Sequence, residues 1–370
     1  MKTNGQPCVL IVKFGAIGDV VMVIPAAYAL HQAGYAIDWV CGAQVLPILQ
    51  LYPWIHPIVA NDRAIQMGSA IEKMKALAAM WRRVAGHRYD LAATLYYDRR
   101  YRLLTAPVRA KRKLMLSHTD RCFNLLPGRH HTDEYARILL DWSDEVRSRP
   151  LAPVPAANLP PSPLPCVPGR PRVVMVPAGA RNLMRDDALR RWPPEFYASL
   201  AQSLLAQDVE VVLTGGPDDH WIRPFFQSVD VIDRIGADSL PATLALLDEA
   251  DVMVTHDTGP LHLAGMTRVG IVTLFGPTDP RGRLPQRPGA LAIWGGEGFA
   301  CRPCYDGRNF AACPVNECMR QVSPEMTLRE IMTMLEDRRR GHLASPRILT
   351  PPSTVPAAVM AITSGQIGPA

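Results

Sequence analysis

Apolar and polar positions along the chain fall into two passages with the same rhythm. Cys8 to Phe14 is a β-rich apolar run of the kind that forms a strand buried on both faces. Gly15-Ala-Ile-Gly18-Asp19 turns the chain, and Val20 to Gln32 predicts a helix. Ile37 to Cys41 and Leu91 to Leu95 predict further strands, with a helical stretch from Ser69 to Val84 between them. The rhythm restarts at Arg172 to Val176, a predicted strand. Trp192-Pro-Pro-Glu195 then opens a helix to Ala206, and strands are predicted at Val209 to Leu213, Ala250 to Thr255 and Gly270 to Phe275. Strand, turn, helix, strand is the order of a doubly wound α/β domain. The strands of the second passage end in Gly, Pro, Thr or Asp at their carboxyl edge, where open α/β sheets bind ligands.

Between the passages lie nine prolines from Pro150 to Pro171, a stretch that holds neither helix nor central strand and reads as a semi-rigid linker. The expected division is therefore a first domain over residues 1–165, including the linker, and a second over 170–335. Residues 338–370 carry Pro351, Pro352 and Pro356 among small polar residues without sustained periodicity, and read as mostly disordered. Two such domains facing each other would make a cleft.

Composition narrows the class. A length of 370 residues suits two domains, because single cores stop growing near ~250–300 residues. With 48% hydrophobic and 20% charged residues the chain reads as globular. The nearest approach to a membrane span, Val20 to Leu30, is interrupted by Pro25 and Tyr28 and preceded by Asp19. Met1 to Pro7 has no apolar signal region, so a cytoplasmic location is expected. A net charge of +6 is compatible with an anionic ligand or the inner face of a membrane, and too weak to argue for nucleic acid.

Five clusters carry candidate chemistry. Asp19 stands at the start of the first helix behind a glycine turn, where it serves either as an N-cap or as a functional carboxylate. His256-Asp257-Thr258-Gly259-Pro260-Leu261-His262 follows a strand and opens a helix. The amides of Thr258, Gly259 and Leu261 would suit a diphosphate, although Asp257 would also serve as a plain cap. Pro177-Ala-Gly179-Ala-Arg181, with Arg191 beside the next helix, suits phosphate oxygens or a solvated arginine pair.

Cys301, Cys304, Cys313 and Cys318 fall within eighteen residues, a density that suggests a structural Zn or Fe knuckle, with reduced thiols or a redox pair as alternatives. The basic stretch Arg99, Arg100, Arg102, Arg109, Lys111, Arg112 and Lys113, with Arg121, Arg129, His130 and His131 beyond it, would either grip an anionic acceptor or lie solvated. No Asp-x-Asp occurs, so the metal–diphosphate grip of many glycosyltransferases is missing, and there is no P-loop.

Four matches in order make the chain resemble glycosyltransferase family 9, the ADP-heptose-dependent heptosyltransferases. They are Ile11 to Ala26; Pro177-Ala-Gly-Ala with Arg191-Trp-Pro-Pro-Glu-Phe; Leu213-Thr-Gly-Gly-Pro217; and Asp251 to Ala264 leading to Leu274-Phe-Gly-Pro-Thr-Asp279. The family's late Cys-x-x-Cys to Cys-Met pattern is present too, ending at Met319.

The resemblance implies a GT-B fold of two Rossmann-like domains, with acceptor on the first and sugar donor on the second. It makes Asp19 the catalytic base, with Gly18 beside it on the acceptor side. Thr258, Gly259 and His262 become the diphosphate turn, with Gly179, Asp257 and Arg191 close to it. Asp218 or Asp219, just past Gly216, would contact the nucleoside ribose. Arg99, Arg100 and Arg102 would meet the acceptor. The reaction implied is an inverting transfer that needs no cofactor for its chemistry. Its acceptor would be a lipopolysaccharide core or related glycan, or a protein. Peripheral membrane contact, an oligomer, and a non-catalytic nucleotide-sugar-binding homologue are all compatible with the sequence.

Overall fold

The computed structural model describes residues 6–116, 129–142, 150–181, 185–305 and 309–352. Two compact units divide at Asn158 and Leu159, each with a parallel sheet of its own.

In chain order the first unit comprises β1 (Cys8–Val12), α1 (Ile17–Gln32), β2 (Ala36–Cys41), α2 (Leu46–Leu49), β3 (Ile55–Val59), α3 (Asp62–Met67), α4 (Ala70–Val84), β4 (Arg88–Thr94), β5 (Arg109–Met115) and α5 (His131–Leu139). The sheet runs β3-β2-β1-β4-β5, with β1 central and all five of its residues buried, as a strand covered on both faces requires. Cys8 pairs with Ala36 on one side and Val9 with Leu91 on the other, both in parallel register. α4 begins with a capping box: the Ser69 hydroxyl accepts from the Glu72 amide while Glu72 accepts from the Ser69 amide.

The second unit comprises β6 (Arg172–Val176), α6 (Pro194–Leu205), β7 (Glu210–Leu213), β8 (Ile232–Asp233), α7 (Leu240–Glu249), β9 (Val252–His256), α8 (Gly259–Gly265), β10 (Gly270–Phe275), β11 (Ala290–Trp294), α9 (Glu317–Arg320), α10 (Pro324–Arg339) and β12 (Arg347–Leu349). Its seven strands run β12-β11-β10-β9-β6-β7-β8. The chain leaves β6 toward β7 and later returns to β9 on the other side, so the order reverses at the β6–β9 pair. Loops following the strands on either side of such a switch point part, and ligands bind there.

Where the linker enters this sheet it is held firmly. Buried Arg172 is paired with Glu210 and donates to the carbonyls of Leu164 (2.7 Å) and Pro165 (2.6 Å). A buried guanidinium in this position satisfies carbonyls that proline-rich chain cannot pair within a helix or sheet.

Several stretches differ from the sequence reading. Arg109 to Lys113, read as loop, form most of edge strand β5. A single-sided edge strand tolerates charge, and Lys111 is tied there to Asp90 (2.7 Å) and Arg112 to Asp141 (3.1 Å). Past Arg338, where no regular structure is expected, α10 continues to Arg339 and β12 pairs in parallel with β11, Leu291 opposite Arg347. Arg121 and residues 353–370 lie outside the described residues. α1 starts at Ile17 rather than Val20, and β4 runs from Arg88 to Thr94 rather than from Leu91 to Leu95.

Candidate active site

In the first unit the centre of interest is the carboxyl end of β1. The N-cap of α1 is Ala16, without a side-chain cap bond, which places Asp19 inside the first turn rather than at the cap. Its carboxylate points elsewhere. Lys13 Nζ lies 3.1 Å from Oδ2, and the Tyr135 hydroxyl donates to Oδ1 at 3.1 Å. Lys13 is buried and its backbone is fixed by the Val40 carbonyl and the Trp39 indole. Gly18 is buried beside Asp19 in the same turn. The Asp19 side chain itself remains 37% accessible, enough for a substrate hydroxyl to reach it.

In the second unit the loops at the carboxyl ends of β6, β9 and β10 meet around Asp257. This residue is not a cap either; the N-cap of α8 is Thr258. Asp257 Oδ2 accepts from Thr278 Oγ1 (2.8 Å) and lies near Arg190 (3.3 Å) and Arg283 (3.4 Å). Burial alone would raise its pKa. Arg283 and Arg190 outweigh that, with the Thr278 hydroxyl and His262 adding to them, and hold the carboxyl well below the usual carboxylate range. Arg190 is itself shared with Asp187 (2.6 Å), which also pairs Arg185 (3.0 Å). Three arginines are thus organised by two carboxylates, leaving one positive charge in excess. Behind them His256 is fully buried, in contact with Tyr197 Oη at 3.1 Å through Nδ1. Burial, then Arg191 and Arg190, drive its pKa down to about 3.

The turn itself is tight. Ala180 N donates to Thr258 Oγ1 at 2.9 Å, and Gly179 has φ +91°, where a Cβ would stand 2.9 Å from that same oxygen. Glycine is required there by both conformation and space. Leu261 N donates to the Thr258 carbonyl, so of the three amides expected for a diphosphate this one is already used; those of Thr258 and Gly259 head the helix. His262 is buried one turn on.

Two expected contacts take other roles. Asp219 accepts from Gly179 N (3.1 Å) and from Gly216 N (2.8 Å), latching the β6 loop to the β7 loop, so ribose contact falls to what remains of its lone pairs or to exposed Asp218. Arg191 donates to the Gly179 carbonyl (2.8 Å), pairs Asp186 and lies 5.4 Å from the Trp221 ring. It braces the turn, while its neighbour Arg190 faces Asp257. Sequence reasoning missed Lys13, Tyr135, Arg190 and Arg283. Lys13, within the quoted Ile11 to Ala26 match, Thr278, within the quoted Gly-Pro-Thr-Asp turn, and Arg190, beside the singled-out Arg191, carried a local signal; Tyr135 and Arg283 carried none.

The cysteine segment packs next to these loops. Cys304 N and Tyr305 N both donate to the Pro277 carbonyl, and Asn316 Nδ2 donates to the Arg191 carbonyl (3.2 Å). The four thiols are electrostatic neighbours: Cys318 is pushed up to about 12 by burial and then by Cys304, Cys313 and Cys301. Thiolate chemistry would fit Zn or Fe. Among the described residues, however, no three His, Cys, Asp or Glu side chains are arranged to hold a metal ion. Of the basic stretch, Arg99, Arg100 and Arg102 lie exposed on a 3-10 turn, with Arg100 held by Asp98 (2.5 Å).

Comparison with known proteins bears on this arrangement. The family model of glycosyltransferase family 9 (heptosyltransferase) matches residues 76–313, which include the Asp257 turn and begin after Asp19. Lipooligosaccharide heptosyltransferase 2 of Campylobacter jejuni is 22% identical over 157 residues, 40% of this chain and 47% of that protein, so the chain spans about half the length of this relative. Escherichia coli ADP-heptose lps heptosyltransferase II superimposes with a TM-score of 0.67 at 17% identity, covering 90% of this chain and 99% of that one. The iron-containing dodecameric glycosyltransferase TibC of enterotoxigenic E. coli gives a TM-score of 0.57 at 14% identity, covering 92% and 78%. These likenesses identify the two parallel sheets as the two Rossmann-like domains of the GT-B fold. With more than half of its length matched by the family model, the chain belongs to glycosyltransferase family 9, the heptosyltransferase family.

Proposed function

We propose that the protein is an inverting glycosyltransferase that moves a heptose from ADP-heptose to an acceptor hydroxyl of a lipopolysaccharide core or related glycan. The acceptor binds the first unit and the donor the second. Asp19 takes the proton of the acceptor hydroxyl, whose oxygen pair forms the new bond at the anomeric carbon while the bond to the ADP oxygen breaks. The departing diphosphate gains negative charge. The excess positive charge among Arg185, Arg190 and Arg283, with the amides of Thr258 and Gly259 and with His262, stabilises it without a catalytic metal.

The observation that carries this reading is the Asp19 carboxylate, met by Lys13 and Tyr135 and kept partly open to solvent. The Asp19→Asn variant should bind ADP-heptose within about threefold of the wild type yet lose roughly 10²–10⁴-fold in transfer, the usual worth of a positioned base. Unchanged turnover would remove the assignment. An anomeric configuration in the product opposite to that of the donor, with activity insensitive to chelator, tests the rest.

The acceptor side belongs at the cytoplasmic face of the inner membrane, where a lipid-linked core would be presented. Among the described residues no helix is long and apolar enough to cross a membrane, and Arg99, Arg100 and Arg102 offer exposed positive charge to such an acceptor. A second reading is transfer to a protein hydroxyl; for it speaks only the fold shared with the iron-containing glycosyltransferase TibC. Iron at one equivalent in purified protein, with transfer to a polypeptide and none to a core glycan, would select it.

A further inference from the structure

Asp19 does not stand alone at the end of β1. Its two oxygens are met from two directions: Oδ2 by the ammonium of Lys13, six residues earlier, and Oδ1 by the phenol of Tyr135, 116 residues later. Each contact is supported in turn. The Lys13 ammonium also donates to the Leu95 carbonyl (3.3 Å) and lies 4.6 Å from the Tyr96 ring and 5.5 Å from the Tyr135 ring. Tyr96 is fixed by accepting from Phe14 N (2.9 Å) and by stacking on Tyr101 at 4.2 Å. Tyr135 is buried on α5, where Glu134 lies between Arg129 (3.4 Å) and Arg137 (2.6 Å), and α5 is tied to the following segment by Leu151 N donating to Asp133 (3.2 Å).

A carboxylate oxygen has two lone pairs, so a single contact does not exhaust its capacity to accept. Two donors on opposite oxygens also fix the plane of the carboxylate, which a single contact cannot do. Burial, and next the nearby Asp19 charge, keep the Tyr135 phenol protonated and therefore a donor.

We propose that Lys13 and Tyr135 are positioning residues for the transfer reaction: together they hold Asp19 ionised and oriented toward the acceptor hydroxyl. This rests on the reading of Asp19 as the base. Among the described residues, charged and titratable groups facing Asp19 include Lys13 from the end of β1, Tyr96 and Tyr97 from the segment after β4, and Tyr135 from α5, with Arg129, Glu134 and Arg137 beyond Tyr97. Lys13 is the nearest positive charge among these, and a cation or a hydrogen-bond donor favours the ionised carboxylate. Removing either should therefore raise the pH at which Asp19 takes up a proton and loses its function as a base.

The test compares Tyr135→Phe, Lys13→Met and Lys13→Arg with wild type and Asp19→Asn in the intact protein. Melting temperatures identify variants that fold, and ADP-heptose is the donor. We expect Tyr135→Phe to lower kcat about tenfold or more with donor KM unchanged. The acid limb of its kcat–pH profile should move upward by half a unit or more. Lys13→Met should move the limb further in the same direction, and Lys13→Arg should return it most of the way. Should Lys13→Met fail to fold, Tyr135→Phe and Lys13→Arg still decide. An Asp19→Asn enzyme without turnover beside a Tyr135→Phe enzyme with wild-type kcat and acid limb would overturn the positioning role alone. An active Asp19→Asn enzyme would overturn the base assignment beneath it.

Discussion

At the scale of single residues, the second unit stores its charge in an unusual way. Asp257 is buried and answers two arginines at once, so neutralising it takes the carboxylate away from Arg283 and leaves Arg190 with Asp187 alone. Asp257→Asn should cost ~3–5 kcal/mol of stability, the penalty of leaving a buried charge uncompensated, and chemical denaturation will show it. His256 makes the opposite wager. Its folded pKa lies near 3, below the ordinary 6.5, so the unfolded chain binds more protons between those values. Its contribution is complete above about pH 6.5 and is lost as the pH falls toward 3. Melting temperatures of His256→Gln should accordingly fall less steeply over that window than those of the wild type.

Elements explain how much could be read beforehand. Buried strands announce themselves: β6 and β10 fall on the residues that their apolar runs indicate, because a strand covered on both faces needs nothing but apolar side chains. Edge strands hide. In β5, Arg109, Lys111, Arg112 and Lys113 look like loop because solvent covers one side, and β12 has only three residues. Asp19 and the Asp257 turn are legible from glycine and strand endings, whereas Tyr135 is not. Its partner is 116 residues away, and no local pattern marks a tyrosine that will meet a carboxylate. The loop after β6 is the element under most constraint. Gly179→Ala should cost ~1–3 kcal/mol and weaken donor binding, since the new Cβ meets both a positive φ and the Thr258 hydroxyl. Titrating ADP into this variant and the wild type measures the loss.

For the whole molecule, each unit carries its own sheet and core, and the candidate chemistry is divided between them: the proposed base Asp19 on the first, the arginines on the second. Saturating ADP should therefore slow amide exchange in the loops after β6, β7 and β9, at Ala180 and Gly216 among others, ahead of any change near Lys13. Equal protection at both places would contradict a donor site confined to the second unit.

The last strand to join carries a liability. β12 covers the outer hydrogen-bonding side of β11, anchored by Arg347 to Glu330 at 3.0 Å. A protein trimmed after Gly341 would present β11 as a bare row of amides and carbonyls, ready to zip onto another molecule. Such a shortened form should precipitate on heating at concentrations where the parent stays clear, with its fold otherwise retained.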